Sequence, residues 1–308
     1  MRYTICGLTL DSDLEFPELP PAPAASCDLR FRMAKTPLAA AIEWYHHCDL
    51  DGRLWLQFGR VGPDYLLRFP AADFLVTANG ALTTCHPRAD THPDTIRHLY
   101  LDQVCPLILN QRGKLALHAS AIELDGAAVG FAGESGSGKS TLAAALSQTG
   151  CRVIADDCLV LELQRDQFLA GPTYGGLRLW PDTVTEIFGP TTDTRPVADY
   201  TRKRRVALPF SISDNFVPLH RLYFLELAQQ PSSSIEPLLP STAFIELLKY
   251  AFRLDVLDHN RLAAEFPHFA RLANSGALRR LRLHHDLAQL PDLRNFILRD
   301  AQLSPGSR

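Results

Sequence analysis

Apolar positions in the first 90 residues come in short runs cut by Gly, Pro and Asp. RYTICGLTL (2–10) alternates weakly, and the proline-rich FPELPPAPAA (16–25) reads as a loop. WLQFGRV (55–61), DYLLRFP (64–70), ADFLVTANG (72–80) and ALTTCHP (81–87) read as short strands. The rhythm changes at 91–113. Ile96, Leu99, Tyr100, Val104, Leu107 and Ile108 recur at helical spacing, Thr91 is a candidate cap and Gly113 a stop, which predicts one helix. From Lys114 the pattern is strand (KLALHASAIEL, 114–124), Asp125-Gly126 hairpin turn, strand (AAVGFA, 127–132), loop, helix (140–149) and strand (CRVIA, 151–155). Further strands LVLEL, LRLW and LYFLEL follow, with helices near 242–256, 260–274 and 291–302; the tail SPGSR reads as frayed. The whole reads as an α/β protein with a small sheet-rich part at 1–90 and a larger part at 91–308. No internal repeat is visible.

The loop after the second hairpin strand carries chemistry. Residues 133–141 are GESGSGKST, which meets G-x-x-x-x-G-K-S/T through Gly133, Gly138, Lys139 and Ser140. Glycines at such spacing let successive backbone N–H groups face one concavity, and the following helix adds its positive dipole end. Gly133, Glu134, Ser135, Gly136, Ser137, Gly138, Lys139, Ser140 and Thr141 are therefore the expected cradle for the phosphates of ATP. Lys139 supplies positive charge, and Ser140 a hydroxyl for Mg²⁺. An apolar strand before the loop and a helix after it supply the context that the motif needs.

Asp156 and Asp157 follow 17 and 18 residues after Lys139, at the end of the next strand. Adjacent carboxylates can divide the labour: one holds Mg²⁺, with Asp157 the expected metal-side partner of Ser140, and one takes a proton from an attacking hydroxyl. Strand side chains alternate in direction, so both acids reach one site only if the strand ends before them. A two-residue turn at 125–126 pairs residues whose numbers sum to 251, which sets His118 opposite Gly133. There it either contacts phosphate or the acceptor, or is a core histidine held by backbone. Arg178 is a candidate phosphate ligand from a neighbouring strand. Arg202, Lys203, Arg204 and Arg205 either clamp phosphate, bind an acidic peptide or form a solvated loop. Trp180 reads as core.

Composition narrows the classes. The 308 residues are 46% hydrophobic and 21% charged, which is ample for a packed core. A formal net charge of −3 gives no electrostatic case for a nucleic-acid partner. No uncharged apolar run approaches the ~18 residues of a spanning helix, and Asp11, Asp13 and Glu15 come too early for a signal peptide. A cytoplasmic chain without membrane partners is expected. Seven scattered cysteines with no CxxC pair fit reduced thiols, and His47–Cys48 and Cys85–His86 lack metal-ligand spacing. The base-reading NKxD of GTPases and the transporter signature LSGGQ are both absent.

LHASAIELDGAAVGFAGESGSGKSTLAAAL with RVIADDCLVL resembles the catalytic core of the HPr kinase/phosphorylase family. The resemblance implies a P-loop core related to phosphoenolpyruvate carboxykinase, with transfer of phosphate to a serine hydroxyl of a small protein or peptide. On this match His118 takes the place of the family's site histidine and 133–141 that of its P-loop. Asp156 and Asp157 match its acidic pair, one of them the general base, and the match also makes a homo-oligomer possible. RLWPD (178–182) and the opening YTICGLTLDSDLEFPEL (3–19) are similar to HPr-kinase-related proteins. The later glycine-containing signature of the bifunctional enzymes is missing from RPVADYTRKRRV (195–206). The resemblance is therefore to the related serine kinases that modify ribosomally made peptides, the lasso-peptide precursor kinases among them. The expectation is an ATP- and Mg²⁺-dependent serine kinase; the alternatives are a small-molecule kinase and a nucleotide-binding switch without transfer.

Overall fold

The computed structural model describes the whole chain except residues 24–26, 51, 209–215, 229–232, 254, 285 and 303–308, so the expected frayed tail lies outside the described residues. The fold is mixed α/β with several sheets. The chain divides into two compact units, Met1–Lys114 with Pro196–Arg202, and Leu115–Arg195 with Lys203–Arg308.

The first unit holds an eight-stranded sheet. Its strands are β1 (Arg2–Ile5), β2 (Leu8–Ser12), β3 (Leu29–Met33), β4 (Glu43–Leu50), β5 (Arg53–Val61), β6 (Asp64–Arg68), β7 (Ala72–Val76) and β8 (Leu82–Pro87). Their order is β1-β2-β3-β8-β7-β6-β5-β4. RYTICGLTL is not one strand but a hairpin: Cys6 and Gly7 take positive φ (52° and 74°), the geometry of a two-residue turn. The expected helix is present as α1 (Pro93–Leu99), a π-helical turn (Tyr100–Val104) and α2 (Cys105–Gln111). His92, not Thr91, caps it by accepting from Asp94 N at 3.2 Å. This helix belongs to the first unit. It is fixed there by Tyr100, whose ring packs against Phe31 and Phe16 at 4.6 and 5.5 Å between centroids.

The second unit is built on a nine-stranded sheet. Its first strands are β9 (Leu115–Leu117), β10 (Ala119–Leu124) and β11 (Ala127–Ala132), followed by α3 (Lys139–Ser147). Then come β12 (Arg152–Ala155), β13 (Leu159–Gln164), β14 (Gln167–Gly171), β15 (Leu177–Leu179), α4 (Pro181–Phe188), β16 (Thr194–Pro196), β17 (Arg204–Val206) and β18 (Val217–Leu227). The chain closes with β19 (Ser234–Pro237), α5 (Pro240–Tyr250), α6 (His259–Ala273), β20 (Leu278–Leu283) and α7 (Leu290–Gln302). The order is β12-β10-β11-β18-β14-β13-β9, with β20 beside β18 and β19 beside β20; β15, β17 and β16 form a small separate sheet.

Both faces of the large sheet are covered. Leu222 and Phe224 of β18 pack into the core under α5 and α6, while Tyr223 and Leu225 pack into the core under α3, α4 and α7. Burial on both faces explains why LYFLEL is a continuous apolar run and not an alternating one. The strand directions position the site. β11, β18 and β20 are mutually parallel. β12 is antiparallel to β10, and β10 to β11, so β12 runs with β11. The segments leaving β11 and β12 therefore emerge at one edge of the sheet, where α/β proteins bind ligands.

Candidate functional site

The glycine loop leaves β11 at Gly133 and enters α3 at Lys139. Gly138 sits at the helix entry with φ 98° and ψ 10°, a left-handed conformation that L side chains rarely adopt. The first intrahelical bond runs from Leu142 N to Gly138 O at 2.8 Å, so the amides of 139–141 precede the helical ladder and are available to an anion. Gly133 is required by close approach, since a Cβ there would lie 2.6 Å from Ser137 Oγ and 3.1 Å from Leu225 Cβ. Ser137 Oγ itself is buried with no hydrogen-bond partner. Gly138→Ala is expected to lower stability by about 1–2 kcal/mol through the left-handed penalty, as read by urea denaturation.

Lys139 is buried at 5% exposure and donates from Nζ to Gly133 O (2.8 Å) and Glu134 O (2.9 Å). Burial lowers its pKa, against the pull of Asp157 and Asp156. The ammonium is held by the carbonyls of its own loop.

The acids behave unlike one another. β12 ends at Ala155, and Asp157 takes a left-handed φ of 61°, so the two side chains do not alternate as they would along a strand. Asp156 has no exposure and three donors. Ser120 Oγ and Ser140 Oγ each reach Oδ1 at 2.7 Å, and Arg178 N reaches Oδ2 at 2.8 Å. The loop hydroxyl expected to meet Mg²⁺ thus pairs with Asp156, where the sequence reading set it with Asp157. The physical reason is the turn at 157, which rotates that side chain toward Arg178, with Nε to Oδ2 at 3.0 Å. Burial pushes the Asp156 carboxyl up, and the charge of Asp157 adds to this. Burial acts on Asp157 in the same sense but is overcome, chiefly by Arg178 and also by Lys203 and Lys139, so its carboxyl is held well below the usual range.

Arg178 is almost fully buried and holds the acid pair in place. Besides Asp157 it donates from Nη2 to Asp156 O (2.7 Å) and to Tyr174 OH (2.5 Å), and Tyr174 OH in turn donates to Asp156 O (2.7 Å). Its guanidinium is engaged by these oxygens, where the sequence reading offered it to phosphate.

His118 is not in the ladder opposite Gly133. The register is as counted, from Leu124↔Ala127 to Ala119↔Ala132, but the strand breaks at His118, whose N donates to Tyr250 O at 2.7 Å. The break turns its ring toward the acids, with Nδ1 3.1 Å from Asp157 O. A carbonyl can only accept, so Nδ1 carries the proton and Nε2 keeps a lone pair. Burial lowers the His118 pKa below its ordinary 6.5, partly opposed by Asp157. A histidine whose folded pKa is lowered binds fewer protons than the unfolded chain just below pH 6.5, so stability falls as pH drops from there toward the folded pKa. His118→Asn is expected to remove this part of the acid-side loss, seen as a flatter stability curve below pH 6.5 in paired urea titrations.

The basic cluster separates. Lys203 is the member whose charge acts on Asp157 and Lys139. Arg204 donates to Thr194 Oγ1 (3.1 Å) and Thr194 O (2.9 Å), and Arg205 is buried. Arg202 belongs to the first unit. Trp180 is 48% exposed, with Lys203 Nζ 5.9 Å from its ring centroid, and is a surface residue where core was expected. It follows β15 and caps α4, whose Pro181 start leaves the ring outside the packed face.

Sequence reasoning missed Ser120, Tyr174 and the particular place of Lys203. Ser120 had a signal, because in the expected strand 114–124 it falls on the same face as His118; Tyr174 had none.

Among the described residues, no group of three or more His, Cys, Asp and Glu side chains has metal-holding geometry. A Mg²⁺ that arrives with a nucleotide needs only one or two protein oxygens. The hydroxyl of Ser140 fits that need, because its O–H donates to Asp156 and the oxygen lone pairs stay open to a cation. No helix among the described residues is long and apolar enough to cross a membrane.

The family described as SynChlorMet cassette protein ScmC matches residues 85–184, a span that holds His118, the glycine loop, both acids and Arg178 but is less than half of the chain. None of the curated proteins matches. Among solved structures, the Hpr(Ser) kinase/phosphatase from Coxiella burnetii is 16% identical, covers 61% of this chain and is itself covered over 96%, with a TM-score of 0.30. A likeness that loose carries no argument.

Proposed function

We propose that this protein is a P-loop kinase that transfers the γ-phosphoryl group of ATP to a serine hydroxyl on a peptide or small protein. The observation that supports this reading is the joining of Ser140 Oγ to Asp156 Oδ1 at 2.7 Å, with His118 Nδ1 3.1 Å from Asp157 O and the charge of Lys139 acting on the Asp157 carboxylate. An anion cradle, a cation-ready hydroxyl and a second carboxylate at one sheet edge are the parts that phosphoryl transfer needs.

In this reading the loop amides and Lys139 hold the β- and γ-phosphates. Ser140, oriented by Asp156, is the protein's ligand to Mg²⁺, which when bound neutralises phosphate charge. Asp157 faces the acceptor, since its side chain keeps 16% exposure while that of Asp156 has none. Its low pKa makes it a weak base but a good hydrogen-bond acceptor for the hydroxyl. That suffices for a loose transition state, in which the proton leaves late. The serine oxygen forms a bond to phosphorus, the β–γ bridging bond breaks, ADP leaves, and the proton passes to the carboxylate of Asp157. Arg178 and Tyr174 act through the acids as positioning residues.

A serine acceptor rests on the sequence resemblance. Incubation with ATP, Mg²⁺ and a panel of serine-containing peptides, read by intact mass, tests it. A gain of one phosphate on a peptide serine is expected. Gain only on small-molecule hydroxyls would move the substrate class, and ATP binding without any transfer would leave a nucleotide-binding protein.

A further inference from the structure

A cavity of about 470 Å³ opens on the far side of the glycine loop from the acids. One wall is the loop itself, Glu134 to Ser137; the others are the end of β18 (Phe224–Leu227), the last turn of α5 and Arg280 of β20. From these surroundings we infer that it receives the nucleoside half of the nucleotide. The inference rests on the kinase reading above and adds where the base and ribose go, and hence from which side the acceptor must come.

Three observations carry it. The first is position. β11 ends at Ala132, opposite Phe224, while the parallel β18 runs on to Leu227, so the cavity lies beyond the carboxyl end of β11, against the last residues of β18 and next to the loop that would hold the phosphates. The sheet order β12-β10-β11-β18 sets the acids and the cavity on opposite sides of the loop strand. A nucleotide whose γ-phosphate faces Asp157 has its other end on the β18 side.

The second is chemistry. Phe224, Leu225, Leu227 and the ring of Tyr250 give apolar wall, and Tyr250 stacks on Phe224 at 6.0 Å and 27°. Lys249 pairs with Glu246 at 3.0 Å and Arg280 with Glu226 at 3.1 Å, and Glu134 adds a third carboxylate on the loop wall, so no cation is in excess there. Such a site offers stacking surface and neutral polar partners, which suits an uncharged heterocycle and sugar and not a further phosphate. The acid side, with Asp157, His118 and Lys203, is charged and suits the reacting groups.

The third is an orphan. Ser137, on the loop wall of the cavity, has a buried Oγ with no hydrogen-bond partner. Buried hydroxyls are normally paired, and a ligand with polar groups beside the loop would supply the partner.

The test separates the two halves of the nucleotide. Calorimetry compares Mg-ATP with Mg-tripolyphosphate on the wild type and on Leu227→Trp. Leu227 is 59% exposed, so the indole enters the cavity mouth without disturbing the core. The wild type is expected to bind ATP more tightly than tripolyphosphate. The variant is expected to lose at least about tenfold in ATP affinity, with tripolyphosphate unchanged. Equal ATP affinity in variant and wild type, or equal affinity of the wild type for the two ligands, overturns the nucleoside site and leaves the kinase reading standing. Binding of neither ligand by the wild type sinks both. As a second measurement, 8-azido-ATP is expected to label peptides containing 224–227 or 249–250; labelling confined to other segments overturns the inference.

Discussion

Lys139→Ala is expected to reduce phosphoryl transfer by about 10³-fold or more while the chain still folds. Lys139 is the cation placed inside the loop, and its Nζ lies against the carbonyls of Gly133 and Glu134. Once phosphates occupy the cradle, that buried charge is what offsets them. Without it the triphosphate meets Asp156 and Asp157 unshielded, so nucleotide affinity falls together with the rate. Lys139→Arg is expected to fail as well, because a planar fork does not fit a space shaped for a compact ammonium. Transfer of labelled γ-phosphate, with circular dichroism as the folding control, checks both variants. Near-normal transfer in Lys139→Ala would mean that the loop does not hold the phosphates.

The second large effect belongs to Asp157→Asn. Transfer is expected to fall by about 10²–10⁴-fold, while Mg-ATP binding, which the proposed mechanism assigns to the loop, Ser140 and Asp156, is expected to persist. The amide keeps the shape but cannot take the hydroxyl proton. It also breaks the ion pair with Arg178, a residue that is 2% exposed, so a stability loss on the order of 3 kcal/mol accompanies the change. The pH dependence has a definite sign. The folded pKa of Asp157 is depressed, so its contribution is present above the unfolded value of 3.8 and is lost as pH falls through the lower folded value. Asp157→Asn is therefore expected to be less stable than the wild type at neutral pH, with the difference shrinking as the acid limb is entered. Denaturant titrations at several pH values, beside calorimetry with Mg-ATP, measure the two parts separately.

The features legible in the sequence are those fixed by local geometry. The loop was readable because Gly133 and Gly138 sit where close approach and a left-handed backbone favour glycine. The hairpin was readable because Asp125 and Gly126 both take positive φ, 51° and 80°. What escaped depends on pairings far apart in the chain. Ser120 reaches Asp156 only because β12 lies beside β10, an adjacency that no local pattern announces. Tyr174 does so from the stretch between β14 and β15. His118 was counted into the right register, yet its strand breaks there because the segment after α5 pairs with β9 and takes the His118 amide. Arg178 is buried and Trp180 exposed, against the usual tendency of the two residue types. The arginine is inside because two acids and a tyrosine await it, and the tryptophan is outside because helix α4 begins just beyond it. Hydrophobicity alone assigns both the other way, since charge is expected outside unless paired.

The most direct measurement is a crystal structure of the chain with Mn²⁺ and a non-hydrolysable ATP analogue, the metal located by anomalous scattering. The account predicts a metal peak bonded to Ser140 Oγ, with the γ-phosphate between Lys139 Nζ and the carboxylate of Asp157. A nucleotide bound away from the 133–141 loop, or one whose γ-phosphate points away from both acids, would contradict it.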